Sequence, residues 1–369
     1  MPHLDWLVRA YGVPLGVAGF ALSCVMLPGA LAGWTFGAAS DRFGPKRVAI
    51  AGLMVAAAAS VLSGFSGNFP VLVLLRIVEG AGYTLLVVAA TVIAARIVPG
   101  RTALTLSVWS SFAPIGFALG QWAAAYASEP PLLSIGVAHA CVLALAAIAL
   151  HFSVAAEPAA AAPQSEAAGR DALRYAPAQR TALAFGGVCA VLLASVALAP
   201  VVLARQSGIT VAHAASLTAL AALPAIVGRI APGWLLERGH AAFTVFVAAS
   251  ALAALSLAAA LVAPLPLAVA LVLFGAFQIL AGALPGLLSA MIPHVAPAPA
   301  QLGMVSGMCS QSVNIGNLLG PPLALAVYAA AGTGAAVLML IVLLGASAAA
   351  IARLGAFRRD LRGKGGQAA

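Results

Sequence analysis

Apolar stretches of about twenty residues or more follow one another from Tyr11 to Arg353, and this succession leaves few folds open to the chain. A helix rises 1.5 Å per residue, so about 20 apolar residues carry it across a hydrocarbon core about 30 Å thick. Eleven stretches reach that length, at roughly 11–36, 48–66, 70–95, 102–126, 132–153, 181–204, 210–235, 241–263, 265–291, 301–329 and 333–353. Hydrophobic residues make up 63% of the chain and charged residues 7%, against about 25% charge in soluble domains. Such a chain cannot cover a surface that faces water. The expectation is an all-α, multi-pass integral membrane protein with eleven transmembrane helices.

The connections are short except for 154–180, which is rich in Ala and Pro and carries Glu157, Glu166, Arg170, Asp171, Arg174 and Arg180. It reads as a polar linker between a bundle at 1–153 and a second bundle at 181–354, followed by a basic tail at 355–369. Lys and Arg set orientation. Of the 18 basic residues, 14 fall in turns, linker or tail on one side of the predicted topology, two (Arg9 and Arg205) on the other, and two (Arg76 and Arg229) inside spans. The rich side is assigned to the cytoplasm, together with the linker and the C-terminus. The net charge of +9 therefore reads as membrane orientation and not as a nucleic-acid surface.

The end of the first span is a charged turn, in which Asp41, Arg42, Lys46 and Arg47 follow Gly37 and surround Gly44. Gly37 admits a close helix neighbour and Gly44 a sharp reversal. The cations can reach helix C-terminal carbonyls, lipid phosphates or acidic partners. The stretch recurs 196 residues later, with Leu27 on Leu223, Pro28 on Pro224, Gly37 on Gly233, Asp41 on Glu237 and Arg42 on Arg238. Upstream, Arg9 meets Arg205 and Gly12 meets Gly208. A second match at offset 200 places Ser110, Ile115, Gly116, Leu119 and Gly120 on Ser310, Ile315, Gly316, Leu319 and Gly320. Two matches in the same order point to a duplicated unit. Under that offset the span 181–204 projects upstream of Met1, so the N-terminal bundle is expected to lack its first helix, giving five spans before the linker and six after it.

The charged turn resembles the motif Gly-x-x-x-Asp-Arg-x-Gly-x-Lys/Arg-Lys/Arg of the major facilitator superfamily, carried here by Gly37, Asp41, Arg42, Gly44, Lys46 and Arg47 with Pro45 where the family often has Arg. Gly233, Glu237 and Arg238 are similar to its weaker second-half copy, and Arg76-Ile77-Val78-Glu79-Gly80-Ala81-Gly82 is similar to the family's fourth-helix motif. The run from Gln311 to Pro322 resembles cyanate-permease-type members. The resemblance implies two helical bundles rocking about a central site, and a transporter of small solutes without a cofactor. The expected partners are a small-molecule substrate and the lipid bilayer, the expected state is a monomer, and the expected location is a bacterial inner membrane.

Residue by residue, two readings stand side by side. The turn at Asp41–Arg47, with Gly233, Glu237 and Arg238, is either a conformational latch or a positive-inside anchor. Arg76 and Glu79 share a helical face three residues apart and can pair. That pair is either a substrate or coupling site or a structural ion pair with Arg76, about 9 Å into its span, snorkelling outward. Glu79 is the one carboxylate well inside a span and the default proton-coupling candidate, a role that a lock to Arg76 would bar. Arg229 lies near the cytoplasmic end of its span and is either a functional charge or one that snorkels outward. The in-span charges Arg76, Glu79 and Arg229 sum to +1, which favours an anionic substrate. Gln278, Gln311, Asn314 and Asn317 either contact a solute or cross-link helices, and Trp109, Ser110 and Gln121 pose the same choice. Spans 48–66, 132–153, 241–263 and 333–353 hold almost no polar side chains and read as outer, lipid-facing helices.

Other chemistries find little support. The four cysteines lie far apart inside apolar runs and read as packing residues. The six histidines show no metal-ligand spacing, no pair of in-span acids suits an intramembrane enzyme, and no phosphate-binding loop indicates ATP-driven pumping. The runner-up is a proton-coupled drug or metabolite exporter. Ala113-Pro114-Ile115-Gly116-Phe117-Ala118 matches that branch's fifth-helix motif poorly, which favours uptake or exchange. A truncated, inactive relic of the family is the third reading.

Overall fold

The computed structural model describes residues 4–116, 119–120, 132–155 and 173–355. Among them all regular structure is helical. The helices are α1 (Leu4–Tyr11), α2 (Leu15–Ser23), α3 (Leu27–Phe43), α4 (Pro45–Ser63), α5 (Phe69–Ile97), α6 (Thr102–Ser110), α7 (Leu132–Ser153), α8 (Ala176–Ser207), α9 (Val211–Ala222), α10 (Ala225–Glu237), α11 (Ala242–Val262), α12 (Leu267–Val295) and α13 (Leu302–Ala352).

Among the described residues nine helical segments are long and apolar enough to cross a bilayer, with α2–α3 and α9–α10 each running on as one. The number differs from the expected eleven for two physical reasons. The stretches 301–329 and 333–353 fuse into α13, whose 51 residues would measure about 76 Å if straight. That is more than twice the thickness of a bilayer core, and α13 breaks at Gly332, where φ is 81°. The stretch 102–126 is helical over Thr102–Ser110 and 112–116, and most of its remainder lies outside the described residues, as do Gln121, most of the 154–180 linker and the tail from 356.

The first span also begins and ends later than expected. Gly12 (φ 62°) closes α1, Pro14 precedes α2, and the apolar segment runs Val17–Phe43. Nothing from Phe36 to Phe43 breaks a helix, so Asp41 and Arg42 lie on the last turn of α3 and not in a loop. The reversal falls on Gly44 alone (φ 88°), whose N–H donates to the Ser40 carbonyl at 3.1 Å. Pro45 then starts α4, where a missing N–H costs nothing. The repeat is visible in the backbone. Gly208 closes α8 at φ 68° as Gly12 closes α1, and Pro28 and Pro224 each lie at the junction of two consecutive helices.

Packing divides the chain into two units. One contains Met1–Ile93, Gly116–Arg174 and Pro297–Asn314; the other contains Ala94–Ile115, Tyr175–Ala296 and Ile315–Ala369. Under the offset of 200 the segment 94–115 projects onto 294–315, close to the segment 297–314.

In the first unit α4 packs along α7, and α4 meets α5 where Gly52 and Gly82 bring the two backbones together. Lipid gives helices no hydrophobic reason to associate, so such close backbone approach supplies the contact energy. In the second unit α12 is central, touching α6, α8, α9, α10 and α11, with Phe274, Phe277 and Leu284 fully buried. Gly316 and Gly320 of α13 lie against Gly186 and Ala190 of α8. The glycine-rich face beyond Asn314 is thus a helix-packing seam.

Candidate functional site

In the first unit, α3 and the start of α13 meet along one face of each helix. Gly33, Gly37 and Asp41 recur every four residues and therefore line up along α3. A Cβ on Gly33 would come within 2.7 Å of the Gly307 carbonyl, and one on Gly37 would strike the Gly303 carbonyl. Glycine is the residue that allows this approach. At the end of the row the Asp41 carboxylate closes the contact. Its Oδ1 accepts the Gly303 N–H at 2.7 Å and its Oδ2 accepts the Met304 N–H at 2.8 Å. These are first-turn amides of α13, which have no intrahelical acceptor and sit at the positive end of the helix dipole. Asp41 therefore caps a helix some 260 residues away in sequence. Beyond Gly33, Gln311 Nε2 donates to the Leu31 carbonyl at 3.4 Å.

The second unit repeats the arrangement. Gly233 of α10 lies against α6, where a Cβ would sit 2.6 Å from Leu104 Cα and 2.9 Å from the Ala103 carbonyl. Positions 233, 103 and 104 are the repeat counterparts of 37, 303 and 304. Ser107 Oγ donates to the Gly286 carbonyl at 3.2 Å, and Arg229 Nη1 to the Ser110 carbonyl at 2.8 Å. The α6 carbonyl lies within reach of Arg229 and holds the guanidinium beside α6. Glu237 ends α10, and the Arg238 guanidinium lies 3.5 Å from the centre of the Trp234 ring.

The cations of the charged turn go elsewhere than Asp41. Lys46 Nζ donates to the His151 carbonyl at 2.7 Å and to the Val154 carbonyl at 2.5 Å, capping the C-terminal end of α7. This follows from the reversal at Gly44, which starts α4 alongside α7. Arg42 lies 5.1 Å from the Phe43 ring centre, and Arg47 is exposed.

A second charged cluster lies in the first unit on α5. Arg76 Nη1 is 2.7 Å from Glu79 Oε2, and Glu79 is 5% exposed. The guanidinium N–H does not aim at Oε2, so this is a charge contact more than an aligned hydrogen bond. His139 of α7 places Nδ1 3.2 Å from Glu79 Oε1, and Ser60 of α4 places Oγ 3.0 Å from the same Nδ1. Both partners come from helices expected to be polar-poor and lipid-facing. For α4 that expectation is corrected, since half of it is buried, whereas α7 is only 11% buried and agrees with it apart from His139.

The uncharged candidates separate. Asn314 is buried, donates Nδ2 to the Ser310 carbonyl at 2.8 Å, and faces Gly29 and Thr84. Gln278 lies in the second unit, 2% exposed, and its Nε2 has no hydrogen-bond partner among the described residues. A buried amide in that state costs about 1–3 kcal/mol. Trp109 stacks on Phe112 at 4.7 Å, and the His213 N–H is capped by Thr210 Oγ1 at 3.3 Å. Among the described residues no cluster of three His, Cys, Asp or Glu could hold a metal. Sequence reasoning missed Gly303, Met304, Ser60 and His139. The first two act through backbone N–H groups and have no side-chain signature. His139 is a lone imidazole inside an apolar span, and that is the signal that could have found it.

The sequence pattern of the Major Facilitator Superfamily matches residues 1–285, and the chain belongs to that family. It is a family of membrane transporters and not of enzymes, and the chain is accordingly a multi-pass integral membrane protein. No curated protein shows a significant sequence match. Solved structures share the fold. The human organic anion transporter MFSD10 (TETRAN) superposes with a TM-score of 0.73 at 20% identity, covering 94% of this chain and 88% of that one. A variant of the E. coli fucose:proton symporter FucP gives 0.73 at 16% identity, covering 94% and 92%. FucP in the outward conformation gives 0.69 at 19% identity, covering 94% and 93%.

Proposed function

We propose that the chain is a secondary transporter that moves a small solute, of anionic or organic-acid type, by alternating access. In this reading eleven spans, five before the linker and six after it, form two repeats that exchange the segments 94–115 and 297–314. The observation that carries the reading is the Asp41 carboxylate on the Gly303 and Met304 amides. It ties a helix of the first repeat to the start of a helix of the second through two hydrogen bonds and a row of glycines. Such a contact is strong enough to hold one state and small enough to open within a cycle. The matching contact at Gly233, with Ser107 and Arg229 nearby, supplies the second clasp.

The in-span charges Arg76, Glu79 and Arg229 leave one net positive charge, which supports an anionic solute. Glu79, buried against Arg76 and His139, is the coupling residue, and the coupling ion is a proton. The run from Gln311 to Pro322 supports a place among cyanate-permease-type members. A thermal-shift screen of the purified protein against small anions and organic acids tests the reading. A true ligand at a hundred times its Kd adds about 2.7 kcal/mol of stability, and a panel without any stabilising anion would reject the substrate class.

The topology carries its own test. With 14 basic residues on one side against two on the other, reporter fusions at Gly355 and within 160–170 are expected to report cytoplasm. An extracytoplasmic signal at either position would overturn the orientation.

A further inference from the structure

The Arg76–Glu79 pair is sealed on one side by a group that no motif includes. His139 lies seven residues into α7, about 10 Å along the helix from Leu132, at the end that the basic-residue distribution assigns to the outer face. Its side chain is 46% exposed while that of Glu79 is 7% exposed, so the imidazole spans the boundary between the surroundings and the buried carboxylate. Nδ1 is the atom turned inward, facing both Glu79 Oε1 at 3.2 Å and Ser60 Oγ at 3.0 Å.

These two neighbours make complementary demands on Nδ1. A carboxylate accepts only, so it calls for Nδ1–H. A hydroxyl donates as well as accepts, so Ser60 can serve a bare Nδ1. The ring therefore has a hydrogen-bond partner in either tautomer, which a purely structural histidine does not require. The other groups near it are few. Arg76 and Glu79 face it from α5, Ser60 from α4, and Cys24 stands behind the pair with its thiol donating to the Ala21 carbonyl at 3.4 Å.

We propose that His139 is a proton relay that loads Glu79 from the outer face. The inference rests on the reading of Glu79 as the coupling residue. Nε2 takes a proton from a hydronium ion at the outer face, which is left as water, and the Nδ1 proton passes to Glu79 Oε1. The ring ends neutral in the Nε2–H tautomer, its bare Nδ1 accepting from the Ser60 hydroxyl. One proton enters and one leaves the ring, so the balance is closed, and unloading to the same side reverses both transfers. Once Glu79 is neutral, the charge opposite Arg76, 2.7 Å away, is gone. The guanidinium is then available to an anionic solute, which links proton loading to anion binding in a single cluster.

The test needs no solute. Purified protein in lipid nanodiscs is given a light-released proton, and the infrared band of the Glu79 carboxylic acid, identified by its loss in Glu79→Gln, is followed in time. His139→Ala is expected to slow the rise of that band on the order of 100-fold, and imidazole added to the buffer to restore much of the rate. His139→Gln fills the space, so slowing without rescue is expected there, and it serves as the test where the alanine variant fails to fold. A wild-type rate in either variant, slowing in folded His139→Ala that imidazole does not relieve, or no Glu79 acid band in the wild type would overturn the relay. A missing acid band would also reject Glu79 as the coupling residue, whereas the rate results bear on the relay alone; whether the chain transports a solute is decided separately by exchange in proteoliposomes.

Discussion

Replacing Glu79 with glutamine is expected to flatten the pH dependence of transport and to lower its rate about tenfold or more, with the variant reaching the membrane at normal levels. Glutamine preserves the size of the side chain and an acceptor for His139 Nδ1–H, but it cannot exchange a proton. It also leaves Arg76 facing a neutral group. Removing one partner of a fully buried pair costs about 3–5 kcal/mol, whereas replacing both costs far less; with the Arg76 side chain 26% exposed, the loss here is expected to be smaller but of the same sign. The stability lost in Glu79→Gln should therefore be largely recovered in the double variant Arg76→Gln/Glu79→Gln, while transport should not be. Flux measured against pH in vesicles, with membrane levels checked in parallel, separates the two effects. A wild-type profile in the single variant would reject any functional role for the pair.

The second large effect is expected at Asp41. Asparagine keeps one acceptor oxygen but turns an amide nitrogen toward a helix N–H and discards the charge that favours a helix N-terminus. The loss of one charge-assisted hydrogen bond amounts to about 2 kcal/mol, or roughly a thirtyfold change in the ratio of clasped to open states. Met304, one of the two residues held by Asp41, is 4% exposed. A cysteine at that position, in a background with the four native cysteines replaced, should be alkylated slowly while Asp41 is present and about thirtyfold faster in Asp41→Asn. Equal alkylation in the two proteins would show that the carboxylate does not hold the contact.

Much of this site was legible in the residues. The i, i+3 spacing of Arg76 and Glu79 is enough to place them on one face, and the structure finds them 2.7 Å apart. Gly37 and Gly44 declared a close approach and a reversal, because glycine admits both where other residues do not. Three things were hidden for physical reasons. Asp41 was legible as part of a latch but its partners were not, since any residue except proline offers the N–H that Gly303 and Met304 supply. The destination of Lys46 was hidden because it depends on α4 lying along α7, a tertiary fact with no local spacing. His139 and Ser60 were passed over because one polar atom per helix does not disturb an apolar pattern. Yet one polar atom from each of two helices is enough to enclose a buried carboxylate. The break inside α13 was legible as well: the stretches 301–329 and 333–353 part around Gly332, where the backbone leaves the helix at φ 81°.

Alternating access of an anionic solute is tested most directly in proteoliposomes that contain the purified protein and nothing else. Each radiolabelled anion that stabilises the protein is offered outside the vesicles while the same compound, unlabelled, fills them. Wild-type vesicles are expected to accumulate label by exchange, well above empty liposomes. Those carrying Asp41→Asn should fall far below the wild type at equal protein content. Exchange no faster than in empty liposomes for every stabilising anion, or undiminished exchange in the Asp41 variant, would contradict the account.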